Sequence, residues 1–224
     1  MRFIYFITWE KAQVFNCPPS ASLTLVAIVQ GRHDRETAKT LKDKIEKIKR
    51  TLTAEKRRLG CFDDSRGLRY VPTELYVKLG DFKEGLKYLK WFDKNFPDDS
   101  GFPEFLFEST IILFKTDNIE KAEEKALKAY FSNTFLLDKY FLREPESLDR
   151  MTNSNTQELD WLKDFHWTHD QDDLLEFSDW LNNFTNSEKF KRTVDEFNEI
   201  KKELETEPVG QRRSQLVNRL YNLI

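Results

Sequence analysis

The residues LYVKLGDFKEGLKYLKWFDKNFPDD, at positions 75–99, constrain the fold of this chain more than any other stretch. Gly80 follows an apolar segment, and a glycine there can adopt the left-handed conformation that ends a helix. Asp81 is suited to cap the next helix, in which apolar residues recur at helical spacing until Pro97. Gly85 lies inside this second helix, where a small residue allows the first helix to approach closely. The stretch therefore predicts a tight antiparallel helical hairpin.

A second stretch, LFKTDNIEKAEEKALKAYFSN, repeats this pattern more loosely 37 residues later. Its polar turn and its small and apolar positions fall at the same places as in the first stretch. Asp117 corresponds to Gly80, Ile119 to Phe82, Ala122 to Gly85, and Ala129 to Phe92. We therefore expect two consecutive hairpins.

Roughly residues 66–133 resemble tetratricopeptide (TPR) repeats, a family that pairs two helices within about 34 residues. The resemblance is carried by the turn, the helix crossing and the closing proline: Leu79-Gly80-Asp81-Phe82, Gly85, Phe92 and Pro97. Pro72 departs from the family by falling in the first helix, where it kinks that helix or marks its start. Arg69 stands where the family has a large aromatic residue. The resemblance implies stacked antiparallel hairpins, as a TPR-like α-solenoid or an irregular bundle.

The remainder of the chain also indicates an all-α fold, because seven glycines and seven prolines provide little turn chemistry for a β fold. Residues 1–31 fit two short strands or two short helices. Helix is favoured there, since Pro18, Pro19 and Ser20 suit a helix start and Gly31 a helix end. Residues 34–59 predict one long amphipathic helix.

Composition divides the chain into four parts. The residues from 32 to 58 include eleven Lys or Arg and five Asp or Glu, whereas residues 144–181 include eleven acidic and two basic residues. Because opposite charges occur in one chain, a solvated helix face is favoured over a nucleic-acid site. The predicted parts are an N-terminal segment (1–31), the basic helix with two hairpins (32–142), a polar acidic linker (143–160) and a C-terminal helical segment that packs on the hairpins (161–224).

The sequence HWTHDQDD offers the best candidate for metal chemistry. His166 and His169 would share one face of a helix and, with Asp170, could bind zinc in a metal-dependent hydrolase. The spacing matches no named zinc signature, and the aspartates also suit the start of the following helix. Neither a catalytic triad nor a phosphate-binding glycine loop is recognisable. We therefore predict no cofactor and favour a non-enzymatic protein, with the hydrolase as the alternative.

The TPR resemblance implies that the first helix of each pair lines a concave, peptide-binding surface. Three glutamates and two aromatic residues at those positions suit a partner protein or peptide with a basic or aromatic segment. Alternatively, terminal helices of the same chain cover these positions. The predicted lining residues are Tyr70, Glu74, Lys78, Glu104, Phe107, Glu108 and Ile111.

The sequence thus predicts a protein that mediates protein–protein interaction or self-association, rather than one that binds nucleic acid or a membrane. Glu10 and Lys11 interrupt the N-terminal apolar run too early for a signal peptide. No apolar run approaches the roughly 20 residues that cross a bilayer. Cys17 and Cys61 are expected to be reduced thiols. These features predict a cytoplasmic location.

Overall fold

A computed structural model of the chain describes residues 19–62, 66–144 and 155–223. Within these ranges all regular structure is helical and no strand occurs, which confirms the all-α prediction. The question of strands before residue 19 lies outside the described residues. None of the described helices combines the length and apolarity that crossing a membrane requires.

The chain divides into two compact units, Met1–Lys44 and Ile45–Ile224. Among the described residues, three short 3₁₀ helices occupy Asn155–Gln157, Leu159–Asp164 and Asp172–Leu174. The α-helices are α1 (Pro19–Leu59), α2 (Val71–Leu79), α3 (Phe82–Asn95), α4 (Pro103–Phe114), α5 (Ile119–Ser132), α6 (Leu136–Tyr140), α7 (Leu175–Thr185), α8 (Glu188–Thr206) and α9 (Gln211–Leu223).

Helix α1 begins at Pro19, as the sequence indicates, but Gly31 does not end it. A single interior glycine costs only about 1 kcal/mol, which a helix of 41 residues tolerates. In the second unit, Ile45 and Leu52 of this helix are buried. Glu55 lies on the same face and is 8% exposed, and its carboxylate forms an ion pair with Arg66.

The first hairpin turns at Gly80, which has φ of +65°. The Gly80 amide donates to the carbonyl oxygen of Val77 at 3.0 Å, and the Asp81 amide donates to that of Tyr76 at 3.1 Å. The Asp81 carboxylate accepts a hydrogen bond from the Glu84 amide at 3.4 Å, which caps α3. The predicted helix stop and cap are therefore confirmed.

The second hairpin turns in the same way 37 residues later. Asp117 has φ of +59°, and its amide donates to the Phe114 carbonyl at 3.0 Å. The Asn118 amide donates to the Leu113 carbonyl at 2.9 Å. Helix α5 also begins and ends 37 residues after α3. The two turns thus share their hydrogen bonds as well as their left-handed residue.

Helix α2 packs against both α3 and α4. A Cβ atom on Gly85 would lie 3.2 Å from the Tyr76 Cβ and 3.1 Å from the Ile112 Cδ1, so the predicted close approach at this glycine is confirmed. In the second hairpin Ala122 occupies the equivalent position and is fully buried. Pro72 is the second residue of α2, and it therefore marks the start of that helix.

The chain after α5 folds back onto α4. The ring of Phe107 on α4 lies 4.8 Å from that of Tyr140, 5.2 Å from that of Phe165 and 5.7 Å from that of Phe177. Phe165 directly follows the 3₁₀ helix Leu159–Asp164, and Phe177 lies on α7. This aromatic contact fixes the segment that borders the candidate site.

Candidate binding pocket

A pocket of about 310 Å³ opens beside α2 and α4. We call it the carboxylate pocket, because three glutamates contribute to its wall. Its walls are formed by the loop before α2, by α2 itself and by the first turns of α4. The lining residues are Arg66, Gly67, Tyr70, Val71, Glu74, Phe102, Glu104, Phe105 and Glu108.

The three glutamates converge for simple geometric reasons. Glu104 and Glu108 are one turn apart on α4, so their side chains lie on the same helix face. Helix α2 packs beside α4 and brings Glu74 to the same pocket. Each carboxylate therefore makes ionisation of its neighbours less favourable.

Glu108 is the deepest of the three and is 5% exposed. Its Oε2 atom lies 2.6 Å from the Thr73 hydroxyl oxygen, and its Oε1 atom accepts a hydrogen bond from the Trp167 indole at 3.3 Å. Burial raises the pKa of Glu108 to about 8, and the charges of Glu74 and Glu104 add to the shift. The group therefore titrates close to neutral pH.

The other two glutamates are half-buried and have different partners. The Trp161 indole donates to Glu104 at 3.3 Å, and burial raises the pKa of Glu104. Glu74 forms an ion pair with Lys78 on its own helix, and the His166 Nε2 atom lies 3.7 Å from its carboxylate. Both carboxylates remain accessible from the pocket.

Aromatic rings form one side of the carboxylate pocket. The Tyr70 ring lies 4.7 Å from that of Phe102 and 5.1 Å from that of Phe105, and the Phe102 ring lies 5.6 Å from that of Trp161. Phe102 and Trp161 are 38% and 37% exposed. The Arg69 guanidinium already lies over the Tyr70 ring at 4.5 Å. Carboxylates and ring faces both attract cations.

The structure brings four of the predicted lining residues together in this pocket: Tyr70, Glu74, Glu104 and Glu108. Phe107 and Ile111 are 1% and 0% exposed, and both lie in the core. Lys78 is exposed and paired with Glu74. Phe107 is enclosed by rings from residues that follow the hairpins, so it contributes to packing.

Sequence reasoning missed the side chains that hold the glutamates in place. Thr73 contacts Glu108 from α2, while Trp161 and Trp167 donate to Glu104 and Glu108 from more than 50 residues away along the chain. The available signal was the presence of three tryptophans, Trp161, Trp167 and Trp180, within an otherwise acidic segment. Tryptophan side chains gain stability when they are buried, so such a segment is expected to pack against the helices. Its negative charge alone suggested a solvated segment instead.

The two histidines do not share a helix face as the metal hypothesis requires. Residues 165–171 lie between two 3₁₀ helices and form no helix themselves. His166 faces Glu74, whereas His169 and Asp170 line a separate pocket with Arg143. Among the residues that the structure describes, no group of three or more His, Cys, Asp or Glu side chains could hold a metal ion.

Comparisons of this chain with protein-family models, curated proteins and solved structures find no match. Three carboxylates and a set of ring faces around one small pocket can bind an organic cation.

Proposed function

We propose that this chain is a non-enzymatic helical-repeat protein that binds a partner protein, and that a basic side chain of the partner enters the carboxylate pocket. The observation that carries the proposal is the convergence of Glu74, Glu104 and Glu108 on one aromatic-sided pocket. A cationic side chain would obtain hydrogen-bond acceptors from the carboxylates and a ring face from Tyr70 or Phe102.

The size of the pocket suits a single side chain. Pockets for drug-sized ligands span about 300–1,000 Å³, and this one, at about 310 Å³, lies at the lower limit. A partner peptide would therefore lie across the mouth and insert one residue, with its other residues on the exposed rings of Phe102 and Trp161.

Arginine fits this environment better than lysine. Its planar guanidinium can bind a carboxylate through two parallel hydrogen bonds and can stack on an aromatic ring. The molecule already contains such a stack, between Arg69 and Tyr70. Arg66 also lines the pocket, but its guanidinium is paired with Glu55 of α1. Arg66 therefore does not neutralise the pocket carboxylates, and Glu74 would exchange its surface ion pair with Lys78 for the entering cation.

The proposal is tested with three peptides, (Arg-Gly)₃, (Lys-Gly)₃ and (Gln-Gly)₃, titrated into the full chain by calorimetry and by tryptophan fluorescence. Trp161 borders the pocket and serves as the fluorescent reporter. We expect affinity to decrease from the arginine to the lysine to the glutamine peptide. We also expect the arginine affinity to fall between low and high salt, because ion pairs near the surface are screened.

Two variants with the same charge change localise the binding. Glu104→Gln should weaken the arginine peptide about tenfold, which corresponds to about 1.4 kcal/mol. Glu205→Gln is the matched control, since Glu205 is exposed on α8 and lies outside the pocket. The proposal fails if the arginine and glutamine peptides bind equally, or if the two variants weaken binding to the same extent.

A further inference from the structure

We propose that Glu108 is a neutral acid at neutral pH, that it donates a hydrogen bond to Thr73, and that it releases its proton when a cation enters the carboxylate pocket. The first part concerns the free protein and stands on geometry alone. The release of the proton rests on the proposed function, because it requires a cation to bind.

The position of the proton follows from a hydroxyl group with two close neighbours. The Thr73 oxygen lies 2.8 Å from the Tyr70 carbonyl oxygen and 2.6 Å from the Glu108 Oε2 atom. A carbonyl oxygen can only accept, so the single hydroxyl hydrogen of Thr73 is directed to Tyr70. The 2.6 Å contact then needs a hydrogen on Glu108, and the carboxyl group is the donor.

The second carboxyl oxygen agrees with this assignment. The Trp167 indole can only donate, and it donates to Glu108 Oε1. Oε1 is therefore the carbonyl oxygen of the acid, and Oε2 carries the hydrogen. An ionised Glu108 would leave two acceptors for the one hydrogen of Thr73, and it would place a charge in a buried position at considerable cost.

The charged surroundings of Glu108 favour the neutral form in the free protein. Glu74 on α2 and Glu104 on α4 both raise its pKa. The charged or titratable groups next to these two are Lys78 and His166 at Glu74, Lys139 and Asp164 at Glu104, and Arg66, which is paired with Glu55. Within the described part of the chain, none of the ion pairs of these groups includes Glu108.

A cation in the pocket reverses this preference. An opposite charge within about 4–6 Å of a carboxyl group favours its ionised form, so the entering cation displaces the proton to solvent. If the peptide binds the ionised form tenfold more tightly than the neutral form, the titration midpoint of Glu108 falls by about one pH unit. Reciprocally, the affinity for the peptide rises with pH up to the midpoint in the free protein.

The test is a pH titration by NMR of the full chain with ¹³C in the side-chain carboxyl groups of glutamate. The Glu108 signal is the one that disappears in Glu108→Gln. We expect its midpoint near pH 8 in the free protein, about one unit lower with saturating (Arg-Gly)₃, and unchanged with (Gln-Gly)₃. If the variant fails to fold, the wild-type spectra still test the proton assignment, because the assignment requires one glutamate signal with a titration midpoint above pH 7.

The outcomes separate this inference from the proposed function. A free protein in which every glutamate titrates below pH 6 overturns the proton assignment. A midpoint that stays near 8 while fluorescence reports bound (Arg-Gly)₃ overturns the proton release and leaves the proposed function intact. Absence of peptide binding overturns both the proposed function and the proton release. The titration of the free protein still tests whether Glu108 carries the proton.

Discussion

The two hairpins differ in the solvent exposure of equivalent residues at their first helices, α2 and α4. Tyr70 and Glu74 on the first side correspond, at a spacing of 37 residues, to Phe107 and Ile111. Tyr70 and Glu74 are half-exposed and line the carboxylate pocket, whereas Phe107 and Ile111 are buried. Equivalent positions of the two hairpins therefore differ: one pair of side chains lines the pocket, and the other pair lies in the core.

The difference in exposure arises from the residues that cover the second hairpin. Phe165 and Phe177, which follow the hairpins in sequence, pack on Phe107 of α4. Trp167 lies between these two residues in sequence, and its indole donates to Glu108 at the carboxylate pocket. The turn thus fixes the hairpin, while a distant part of the chain determines which side chains of the hairpin remain accessible for binding.

Exchanging the equivalent residues of the two faces should give the largest effect. Ile111→Glu places a charge at a position that is 0% exposed, and we expect a loss of about 4 kcal/mol in unfolding free energy. The reciprocal change, Glu74→Ile, alters a half-exposed site and loses a surface ion pair, so we expect a change of about 0.5 kcal/mol. Urea unfolding of both variants measures the difference, and similar losses would mean that the two faces are equally buried.

A pH-dependent effect should distinguish the buried carboxyl group on α4 from the accessible one on α2. The pKa of Glu108 is raised to about 8 in the fold, against about 4.3 for a free glutamate. Its stabilising contribution is therefore complete below about pH 4.3 and is lost as the pH rises to about 8. Glutamine does not titrate and keeps both hydrogen bonds, so Glu108→Gln should exceed the wild type in stability at pH 9 by roughly 2–5 kcal/mol, the upper value corresponding to the full difference in pKa.

The control for this experiment is Glu74→Gln, which removes the same charge from the half-exposed position on α2. Its stability relative to the wild type should change less between pH 5 and pH 9 than that of Glu108→Gln, because it removes only the contribution of Glu74 to the pKa of Glu108. Melting temperatures of both variants across this range make the measurement. An advantage of Glu108→Gln that is equal at pH 5 and pH 9 would contradict a raised pKa.

The turns offer a smaller test of the equivalence between the hairpins. A Cβ atom on Gly80 would meet no atom within 4 Å, so a substitution there acts through the backbone. Because a β-branched residue resists positive φ, Gly80→Val should cost about 1–2 kcal/mol. Chemical denaturation measures the loss, with Lys83→Val on the exposed side of α3 as a control. If both variants lose the same stability, the left-handed turn is not the cause.

The helix ends and the turns could be predicted from the sequence because each is determined by a few neighbouring residues. Gly80 and Asp81 determine one helix end and the next helix start within two residues, and the spacing to Asp117 indicates the second turn. Gly85 identifies the helix crossing because even a Cβ atom would be tightly packed at so close an approach. The prediction that a helix ends at Gly31 was wrong, because a glycine ends a helix only when a turn follows it, and α1 continues through this residue.

The pocket was predicted only in part. Tyr70, Glu74, Glu104 and Glu108 were expected on one surface because the TPR resemblance implies that the first helix of each pair lines it, and the structure brings these four residues to one pocket. The groups that bind Glu108 could not, because Thr73 and Trp167 are 35 and 59 residues away in sequence. The histidine hypothesis assumed a helix over residues 165–171, and that segment is held instead by tertiary contacts. Its conformation depends on packing that no local pattern encodes.

The smallest effect should be a gain in stability at the second turn. Asp117 has φ of +59°, a conformation that aspartate adopts at a cost and glycine adopts freely. Asp117→Gly should therefore stabilise the chain by up to about 1 kcal/mol, with the greater entropy of glycine in the unfolded state limiting the gain. Asp117→Ala is the matched control, since it removes the carboxylate but keeps the Cβ atom, and it should not stabilise. A glycine variant no more stable than the alanine variant would show that Asp117 bears no backbone strain, and the two turns would then be equivalent in shape but not in energy.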